Sequence, residues 1–299
     1  RMRIVAADGT VSEPLGGVPK VVTAGQGGLL DVALAPSSPS TVYFAFSEPR
    51  EGGNGTAVAR ARLVREGTPR LEDVRVVWRV TPTLDSNLHF GCRLVFAPDG
   101  NLFVTTGERS IVEGRRQAQK LESAFGKIVR ITPEGTAPAD NPFVKRPGAL
   151  PEIWSLGHRN VQAAALHPVT GALWIVDHGA RGGDEINVVK AGHDYGWPTI
   201  TYGVEYSGGR IGDGITQREG MEQPRYYWDP SIAPSGMAFY RGDMFPAWRG
   251  SLFVGALAGK HLARLTLDGE NVVGEERLLV DRARVRDVRV APNGALMVL

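Results

Sequence analysis

One phrase recurs five times along this chain and constrains its fold more than any other feature. Each copy consists of a hydrophobic stretch, a proline, a turn with glycine or another small residue, and then an apolar strand. The prolines of the five copies are Pro36, Pro98, Pro168, Pro246 and Pro292. Because proline cannot donate to a strand ladder, it belongs at a strand end, and glycine supplies the turn. Each copy therefore predicts a β-hairpin.

The spacing of these hairpins predicts the architecture. The intervals between the prolines are irregular, but each has room for one four-stranded unit with insertions, and the copy at Pro246 is degenerate. Self-similar hairpins at roughly 40–50 residues are typical of β-propellers. We therefore expect an all-β propeller with four-stranded antiparallel blades, forming one domain over residues 1–299. A β-sandwich or a jelly roll is the rival architecture, but neither explains the repeated phrase.

Two further features concern helix content and the chain ends. Helical periodicity is nearly absent, and residues 117–124 are the best helical candidate. Residues 2–5 read as a strand without a predecessor, and the chain stops inside a strand at Leu299. Since a closed propeller normally pairs its two termini in one blade, we expect this chain to be a trimmed version of a longer one.

Composition excludes several classes of protein. Hydrophobic residues make up 42% and charged residues 22% of the chain, as in packed globular proteins. No run approaches the apolar length of a membrane span, and the net charge of +2 comes without a clustered basic stripe, so neither a membrane span nor nucleic-acid binding is expected. Cys92 is the single cysteine, so no intrachain disulfide can form. Composition alone leaves the cellular compartment open.

The first candidate for chemistry is His89, directly before a predicted strand. A neutral imidazole can accept a proton, so His89 is a candidate general base, although a lone histidine is more often a surface or strand-capping residue. Glu108 follows the second strand of the same hairpin, and the ends of the two strands meet at one rim. Glu108 could therefore bond His89, fix its tautomer and raise its basicity. A solvated loop glutamate is the alternative interpretation.

Three arginines are candidates for binding an anion. Arg159 offers a forked donor for carboxylate or quinone oxygens, and Asn160 beside it is an adaptable partner. Arg284 and Arg286 lie two residues apart, so strand alternation puts both on one side. Such a pair is usually a solvated surface, but it becomes favourable around a polyanion.

A glycine-rich acidic loop spans residues 177–187. Such a loop can turn carbonyls and carboxylates toward a hard cation such as Ca²⁺, although the spacing is not that of an EF-hand. Zinc is not favoured, because the lone cysteine and the scattered histidines show no ligand spacing.

The ordered set of these segments resembles the PQQ-dependent soluble aldose sugar dehydrogenase family, in which PQQ is pyrroloquinoline quinone. The resemblance runs from Gln26 to the end of the chain. The matching motifs are HFGCRL at 89–94, GHRNVQ at 157–162, DEIN at 184–187, DYGWP at 194–198, PSIAPS at 230–235 and RVRD at 284–287. Each motif alone is weak, but their order and spacing together are specific.

The resemblance implies a six-bladed propeller with PQQ lying near the central channel, and oxidation of aldose sugars to lactones. His89 then corresponds to the base that takes the proton of the anomeric hydroxyl, and Glu108 orients this base. Arg159 and Asn160 correspond to the pair that holds the quinone oxygens. The other implied cofactor contacts are Gln26, Tyr206, Ser231, Arg284 and Arg286, the last two pairing with PQQ carboxylates.

The resemblance also implies calcium. The carbonyls of Gly179 and Ala180 would bind the Ca²⁺ beside PQQ, and Glu185 and Tyr195 would hold a second, structural Ca²⁺. The family further implies a periplasmic or secreted enzyme that passes its electrons to an acceptor the sequence does not identify.

Two positions depart from the family pattern, and two other functions stay open. Family members often have a lysine where this chain has Ala258, and Lys260 two residues later could replace it by strand alternation. Leu88 favours the broader aldose branch over strict glucose specificity.

The alternative functions are those of a calcium-dependent propeller lactonase or hydrolase, and of a non-catalytic propeller that binds proteins. The arginines argue against the first, and the pairing of His89 with Glu108 argues against the second.

Overall fold

The computed structural model describes residues 1–91 and 93–299, so Cys92 lies outside the described residues. The first sheet comprises β1 (Leu29–Ala35), β2 (Ser38–Arg50), β3 (Gly53–Val64) and β4 (Arg70–Arg79). The second comprises β5 (Leu94–Phe96), β6 (Leu102–Thr105), β7 (Ile128–Ile131) and β8 (Ile153–Ser155). The third comprises β9 (Val161–Leu166), β10 (Leu173–Asp177), β11 (Asp184–Val189) and β12 (Tyr226–Trp228). The fourth comprises β13 (Pro234–Phe239), β14 (Leu252–Ala256), β15 (His261–Asp268) and β16 (Asn271–Leu278), and the fifth β17 (Val288–Val290) and β18 (Leu296–Val298).

The sheets are antiparallel throughout and are arranged as the blades of a propeller. The first strand of each sheet contacts the first strand of the next, in the order β1, β5, β9, β13 and β17. The predicted all-β propeller with four-stranded antiparallel blades is confirmed. Within the described residues, four blades have four strands and the fifth sheet has two.

The hydrophobic core is divided among the interfaces between successive blades. Val58 of the first blade packs in one cluster with Val104 of the second, and Trp174 of the third packs with Val254 of the fourth. Strands between two such interfaces are covered on both faces, which is why β6 and β10 are buried at every position. Continuous apolar runs are expected of strands that are buried on both sides.

The proline phrase marks the inner hairpin of a blade. Pro36, Pro98, Pro168 and Pro292 each lie between the first two strands of their sheet, as predicted. The degenerate copy differs, because Pro246 begins a short 3-10 helix inside a longer connection between β13 and β14.

The predicted helix at residues 117–124 is wrong, because these residues form turns. The helix α1 (Val112–Arg115) lies just before them. The reason is Lys127, a fully buried residue whose ammonium group donates to the carbonyls of Gln117 and Ala118 at 2.9 and 2.8 Å. These carbonyls are thereby taken by a side chain instead of by a helical ladder.

The segment before the first sheet packs against the face of that sheet that is turned away from the second blade. Met2 and Ile4 pack against the cluster that contains Phe44. Residues 2–5 form no assigned strand, and the bridge between Val5 and Val11 is isolated. Among the described residues, no helix combines the length and apolarity that a bilayer crossing requires.

Candidate active site

His89 and Glu108 form a buried hydrogen-bonded pair. Glu108 Oε1 lies 2.7 Å from Nδ1 of His89, and Glu108 is fully buried. The other ring nitrogen of His89, Nε2, bonds to no described residue. Burial lowers the pKa of His89 below its ordinary value of 6.5, and Arg159 acts in the same direction, while the bond to Glu108 opposes them. The predicted pairing is present, and it leaves Nε2 of His89 without a hydrogen-bond partner among the described residues.

The backbone around this pair is unusual for residues with side chains. His89 has φ 45°, in the left-handed region that favours glycine. Gly107, next to Glu108, lies so close to the other segment that a Cβ there would be 2.3 Å from the carbonyl oxygen of His89. A glycine is therefore required for the two segments to bring His89 and Glu108 together.

Arg159 and Asn160 are held by one carboxylate. Asp177, at the end of β10, accepts the backbone N–H of Arg159 at 2.9 Å and that of Asn160 at 2.6 Å. Burial alone would raise the pKa of Asp177, but the neighbouring His158 and the two backbone donors bring it below its usual value. His158 is fully buried and shares a 2.8 Å bond between its Nε2 and the hydroxyl of Ser155.

The Arg159 side chain extends over the acidic loop. It donates to the carbonyls of His178 and Gly179, and at 3.4 Å to the hydroxyl of Tyr206. Its guanidinium also lies 5.1 Å from the ring centre of Trp197. Arg159 and Tyr206 are therefore in contact, as two residues of one binding site must be, although Tyr206 is 68% exposed.

A cavity of about 540 Å³ opens beside the pair. It is lined by glycine and apolar residues and by eight polar or charged residues, which are Gln26, Arg93, Asn160, Gln162, His178, Ser235, Arg284 and Arg286. Gln26 connects the cavity to the pair, because its Oε1 accepts the backbone N–H of His89 at 2.8 Å. The volume lies within the range of small-molecule sites.

The arginines give this cavity its charge. Arg284 and Arg286 form no ion pair with any described residue, and buried Val285 separates them. They precede β17 rather than lying within a strand, yet both line the cavity, as predicted. Burial, Arg284 and Arg93 all lower the pKa of Arg286, whereas the charge of Asp287 raises it.

Four predicted residues do not line this cavity as the structure describes it, namely Arg159, Tyr206, Ser231 and Lys260. The Ser231 hydroxyl accepts the N–H of Gly182 at 2.8 Å and donates to the carbonyl of Ala180 at 3.3 Å, so it braces the acidic loop. Lys260 lies in the turn after β14 with φ 49°. Strand alternation therefore does not relate Lys260 to Ala258.

Glu185 and Tyr195 line a small void of about 10 Å³ together with Asp177 and Arg159. Burial and the charge of Asp177 raise the pKa of Glu185 to about 8. Near it, Oδ1 of Asn187 is buried and accepts no hydrogen bond from any described residue. The hydroxyl of Tyr195 is bonded to Val188 and Lys190, so this residue offers its carbonyl. A void of one-ion size beside carboxylate and amide oxygens fits a hard cation.

The carbonyls of Gly179 and Ala180 accept donors from the protein, namely Arg159 and Ser231. Asp184 fixes this part of the loop by accepting the N–H groups of Gly179, Ile232 and Ala233 at 2.8–2.9 Å. Within the described chain, no group of three or more His, Cys, Asp or Glu side chains is placed to hold a metal. A cation beside Gly179 and Ala180 would therefore have to be bound by their carbonyl oxygens.

Comparison with known proteins identifies the family. The family model described as glucose/sorbosone dehydrogenase matches residues 1–299. This chain belongs to the glucose/sorbosone dehydrogenase family. It is 46% identical over 294 residues to aldose sugar dehydrogenase YliI of Escherichia coli K12, covering 97% of this chain and 78% of that protein. The predicted resemblance is confirmed at the level of the family.

Two solved structures of the glucose/sorbosone dehydrogenase family extend the comparison. The apo-form of the soluble aldose sugar dehydrogenase of Escherichia coli is 45% identical with a TM-score of 0.94, covering 99% of this chain and 86% of that chain. The PQQ-bound form of an aldose sugar dehydrogenase from Streptomyces coelicolor is 31% identical with a TM-score of 0.79, covering 99% and 80% of the two chains.

Sequence reasoning gave no individual role to several residues that the structure brings to this candidate site. They are His178 and Arg93, which line the cavity, and Asp177 and Asp184, which hold backbone N–H groups. Asp177 carried a signal, because a carboxylate that ends an otherwise apolar strand such as β10 is at a blade rim. The others carry no such signal, because their contacts depend on how separate segments of the chain meet in the folded structure.

Proposed function

We propose that this chain is a PQQ-dependent dehydrogenase that oxidises aldose sugars at the anomeric carbon to lactones. One observation carries the proposal: the cavity beside the His89–Glu108 pair is lined by Arg284 and Arg286, whose charges no described residue pairs. PQQ is a planar tricarboxylate, and arginine binds carboxylates in bidentate geometry. The names of the relatives supply the substrate class.

The chain offers donors for both ends of such a cofactor. Arg284 and Arg286 would pair with its carboxylates, and Arg159 and Asn160 would face the quinone oxygens. Gln26 would add a polar contact, since it lines the same cavity. Tyr206 would contact the cofactor from the side of Arg159, to which it is bonded. Ser231 would support the cofactor site indirectly, because its hydroxyl bonds the carbonyl of Ala180 in the acidic loop.

In the reaction, PQQ would supply the two-electron acceptor for the hydride that leaves the anomeric carbon. His89 would take the proton of the anomeric hydroxyl at Nε2, the nitrogen that no described residue binds. Glu108 holds the other nitrogen, which fixes the tautomer and stabilises the imidazolium once the proton has arrived. Loss of one hydride and one proton converts the cyclic sugar to its lactone, so electrons and protons balance.

Calcium would occupy two places. The carbonyls of Gly179 and Ala180 would hold one ion after Arg159 and Ser231 release them, and this ion would supply Lewis-acid polarisation of the cofactor. Glu185 and the carbonyl of Tyr195 would hold a second ion in the small void, where it would neutralise buried carboxylates.

The cavity lining favours this proposal over a hydrolase. A calcium-dependent lactonase needs acidic and amide side chains around its metal, whereas the described lining contains three arginines and no carboxylate. The buried His89–Glu108 pair likewise favours an enzyme over a protein-binding propeller, because a solvent-facing interface has no need of it.

Reconstitution tests the proposal. The metal-free, cofactor-free protein is mixed with PQQ, Ca²⁺, both or neither, and reduction of an artificial dye is followed with glucose and other aldoses. We expect turnover only with both additions, none with NAD⁺ or NADP⁺, and a rate lowered by about 10² to 10⁴ in the His89→Gln protein. Lactone hydrolysis without PQQ, or sugar oxidation with NAD⁺ alone, would show that the assignment is wrong.

A further inference from the structure

The side chain of Arg93 connects the first strands of several sheets beside the cavity. Arg93 directly precedes β5 and lines the cavity. Its Nη1 lies 3.4 Å from Oδ1 of Asp31 in β1 and 3.2 Å from Oδ2 of Asp287, which directly precedes β17. Its Nε and Nη2 donate to the carbonyl of Gln162 in β9 at 3.3 and 3.2 Å. One arginine of the cavity therefore holds two carboxylates from two other sheets.

Asp287 is the carboxylate that directly follows one of the cavity arginines. Its charge acts on Arg286, yet no ion pair joins the two side chains in the described structure. Oδ2 of Asp287 instead contacts Arg93 and, at 3.4 Å, Nη2 of Arg289. Oδ1 accepts the backbone N–H of Val288 at 3.0 Å. Both oxygens of Asp287 are thus occupied by partners other than Arg286.

The backbone around Asp287 fixes this arrangement. A Cβ on Gly236 of β13 would lie 1.8 Å from Oδ1 of Asp287, so only a glycine lets the strand pass this close to the carboxylate. The N–H of Gly236 also donates to the carbonyl of Arg286 at 3.2 Å. The carbonyl of Asp287 accepts the N–H of Leu299 at 3.0 Å. The carboxylate is therefore held in one position by close packing as well as by its ion pairs.

The charges around Arg93 form a balanced set. Each of two arginines lies within 3.7 Å of both carboxylates, and we call this set the four-charge cluster, made up of Asp31, Arg93, Asp287 and Arg289. Two positive and two negative charges leave the cluster neutral. Arg284 and Arg286 lie outside it and form no ion pair with any described residue. Their charge is therefore left for a ligand of the cavity that they line.

Loss of one cation from the cluster would change this balance. A carboxylate next to Arg286 in the chain is a competitor for any external anion, because an internal ion pair must open before a ligand can take its place. The apparent affinity of a site falls in proportion to the fraction of molecules in which the site is open. An Asp287 that occupied a cavity arginine in about nine molecules of ten would weaken an anionic ligand about tenfold.

We propose that Arg93 is a positioning residue that keeps Asp287 within the four-charge cluster and so leaves Arg284 and Arg286 open to a carboxylate ligand. The proposal deepens the proposed function and rests on it in one respect, that this ligand is PQQ. Direct binding of the ligand by Arg93 is the competing explanation, since Arg93 lines the same cavity. The two explanations differ in what removal of the Asp287 charge should do.

The test is a titration of the protein with two anions in the presence of Ca²⁺, followed by calorimetry. The anions are PQQ and trimesate, a planar benzene tricarboxylate without redox chemistry. We expect Arg93→Met to weaken the binding of both about tenfold or more, because the released Asp287 competes with them. Adding Asp287→Asn to Arg93→Met should restore most of the affinity, although the double variant has lost one more native side chain.

Two further variants serve as controls. Arg130→Met should leave both dissociation constants unchanged, since Arg130 is a buried arginine that also pairs with two carboxylates, Asp99 and Asp140, but does not line the cavity. Asp287→Asn alone should bind both anions at least as tightly as the native protein, because it removes a negative charge that acts on Arg286.

An Arg93→Met protein whose weakened binding is not restored by Asp287→Asn would overturn the proposal and favour direct binding by Arg93. Native affinity in Arg93→Met, or a clear loss of affinity in Asp287→Asn alone, would contradict it equally. If Arg93→Met does not fold, Arg93→Gln replaces it, because the amide can still donate to the carbonyl of Gln162 while the charge is gone. If the native protein binds trimesate but not PQQ, the proposed function fails while the role of Arg93 is decided with trimesate. If it binds neither anion, both proposals are wrong.

Discussion

Glu108 Oε1 lies 2.7 Å from Nδ1 of His89, and this bond determines which ring nitrogen of the imidazole is left to accept a proton. A carboxylate can only accept, so Nδ1 must carry the hydrogen and Nε2 must carry the lone pair. The lone pair is on the nitrogen that no described residue binds. The pair is thus set for proton removal before any ligand arrives.

Replacing His89 separates chemistry from binding. In the His89→Gln enzyme we expect kcat to fall by about 10² to 10⁴, the usual contribution of a positioned base. The dissociation constant of PQQ should stay nearly unchanged, because the imidazole is not among the groups that line the cavity. Stopped-flow turnover and a fluorescence titration of PQQ measure the two quantities. Near-native kcat with weakened PQQ binding would instead make His89 a cofactor contact.

Replacing Glu108 gives a pH signature. The bond to Glu108 raises the pKa of His89, so Glu108→Gln should lower it further and move the acid limb of kcat to lower pH. Turnover should nevertheless fall at every pH by about 10² or more, because an amide can donate to Nδ1 and place the hydrogen on the wrong nitrogen. The profile of kcat between pH 4 and pH 9 decides this. A limb that moves to higher pH would contradict the role of Glu108.

Much of this site could be predicted from the sequence, because His89 and Glu108 flank the strands of one hairpin. The proline phrase locates that hairpin, and strand ends in a hairpin meet. Loops allow no such argument. Lys260 lies in a turn with φ 49°, where alternation fails. Residues 117–124 lack a helix because Lys127, several residues later, takes their carbonyls.

Removing calcium tests the void around Glu185. A ligand at about 100 times its Kd stabilises a protein by about 2.7 kcal/mol, or about 5 °C in Tm for a chain of this size. We expect Ca²⁺ to raise the Tm of the native protein and a chelator to lower it. Glu185→Gln should lose most of this response. Glu276→Gln, which removes a half-exposed carboxylate paired with Arg264, is the control and should keep it.

The last prediction separates the two groups of arginines. Arg284 and Arg286 would pair with carboxylates whose charge is the same before and after hydride transfer, so they should act on cofactor retention. Loss of one charge-assisted bond costs about 1.5–3 kcal/mol, or roughly 10- to 150-fold in PQQ affinity. Arg159 would face the quinone oxygen, where negative charge develops, so it should act on kcat even when PQQ is saturating.

The comparison of plateau rates decides between these roles. At saturating PQQ, the Arg286→Ala enzyme should recover most of its turnover, whereas the Arg159→Ala enzyme should not. The contacts support the distinction, because Arg286 makes no ion pair among the described residues, while Arg159 is anchored through its backbone by Asp177. Arg159 is thus held in place for a group whose charge changes. Equal plateaus in the two variants would mean that the cofactor lies the other way round in the cavity, with its quinone toward Arg286.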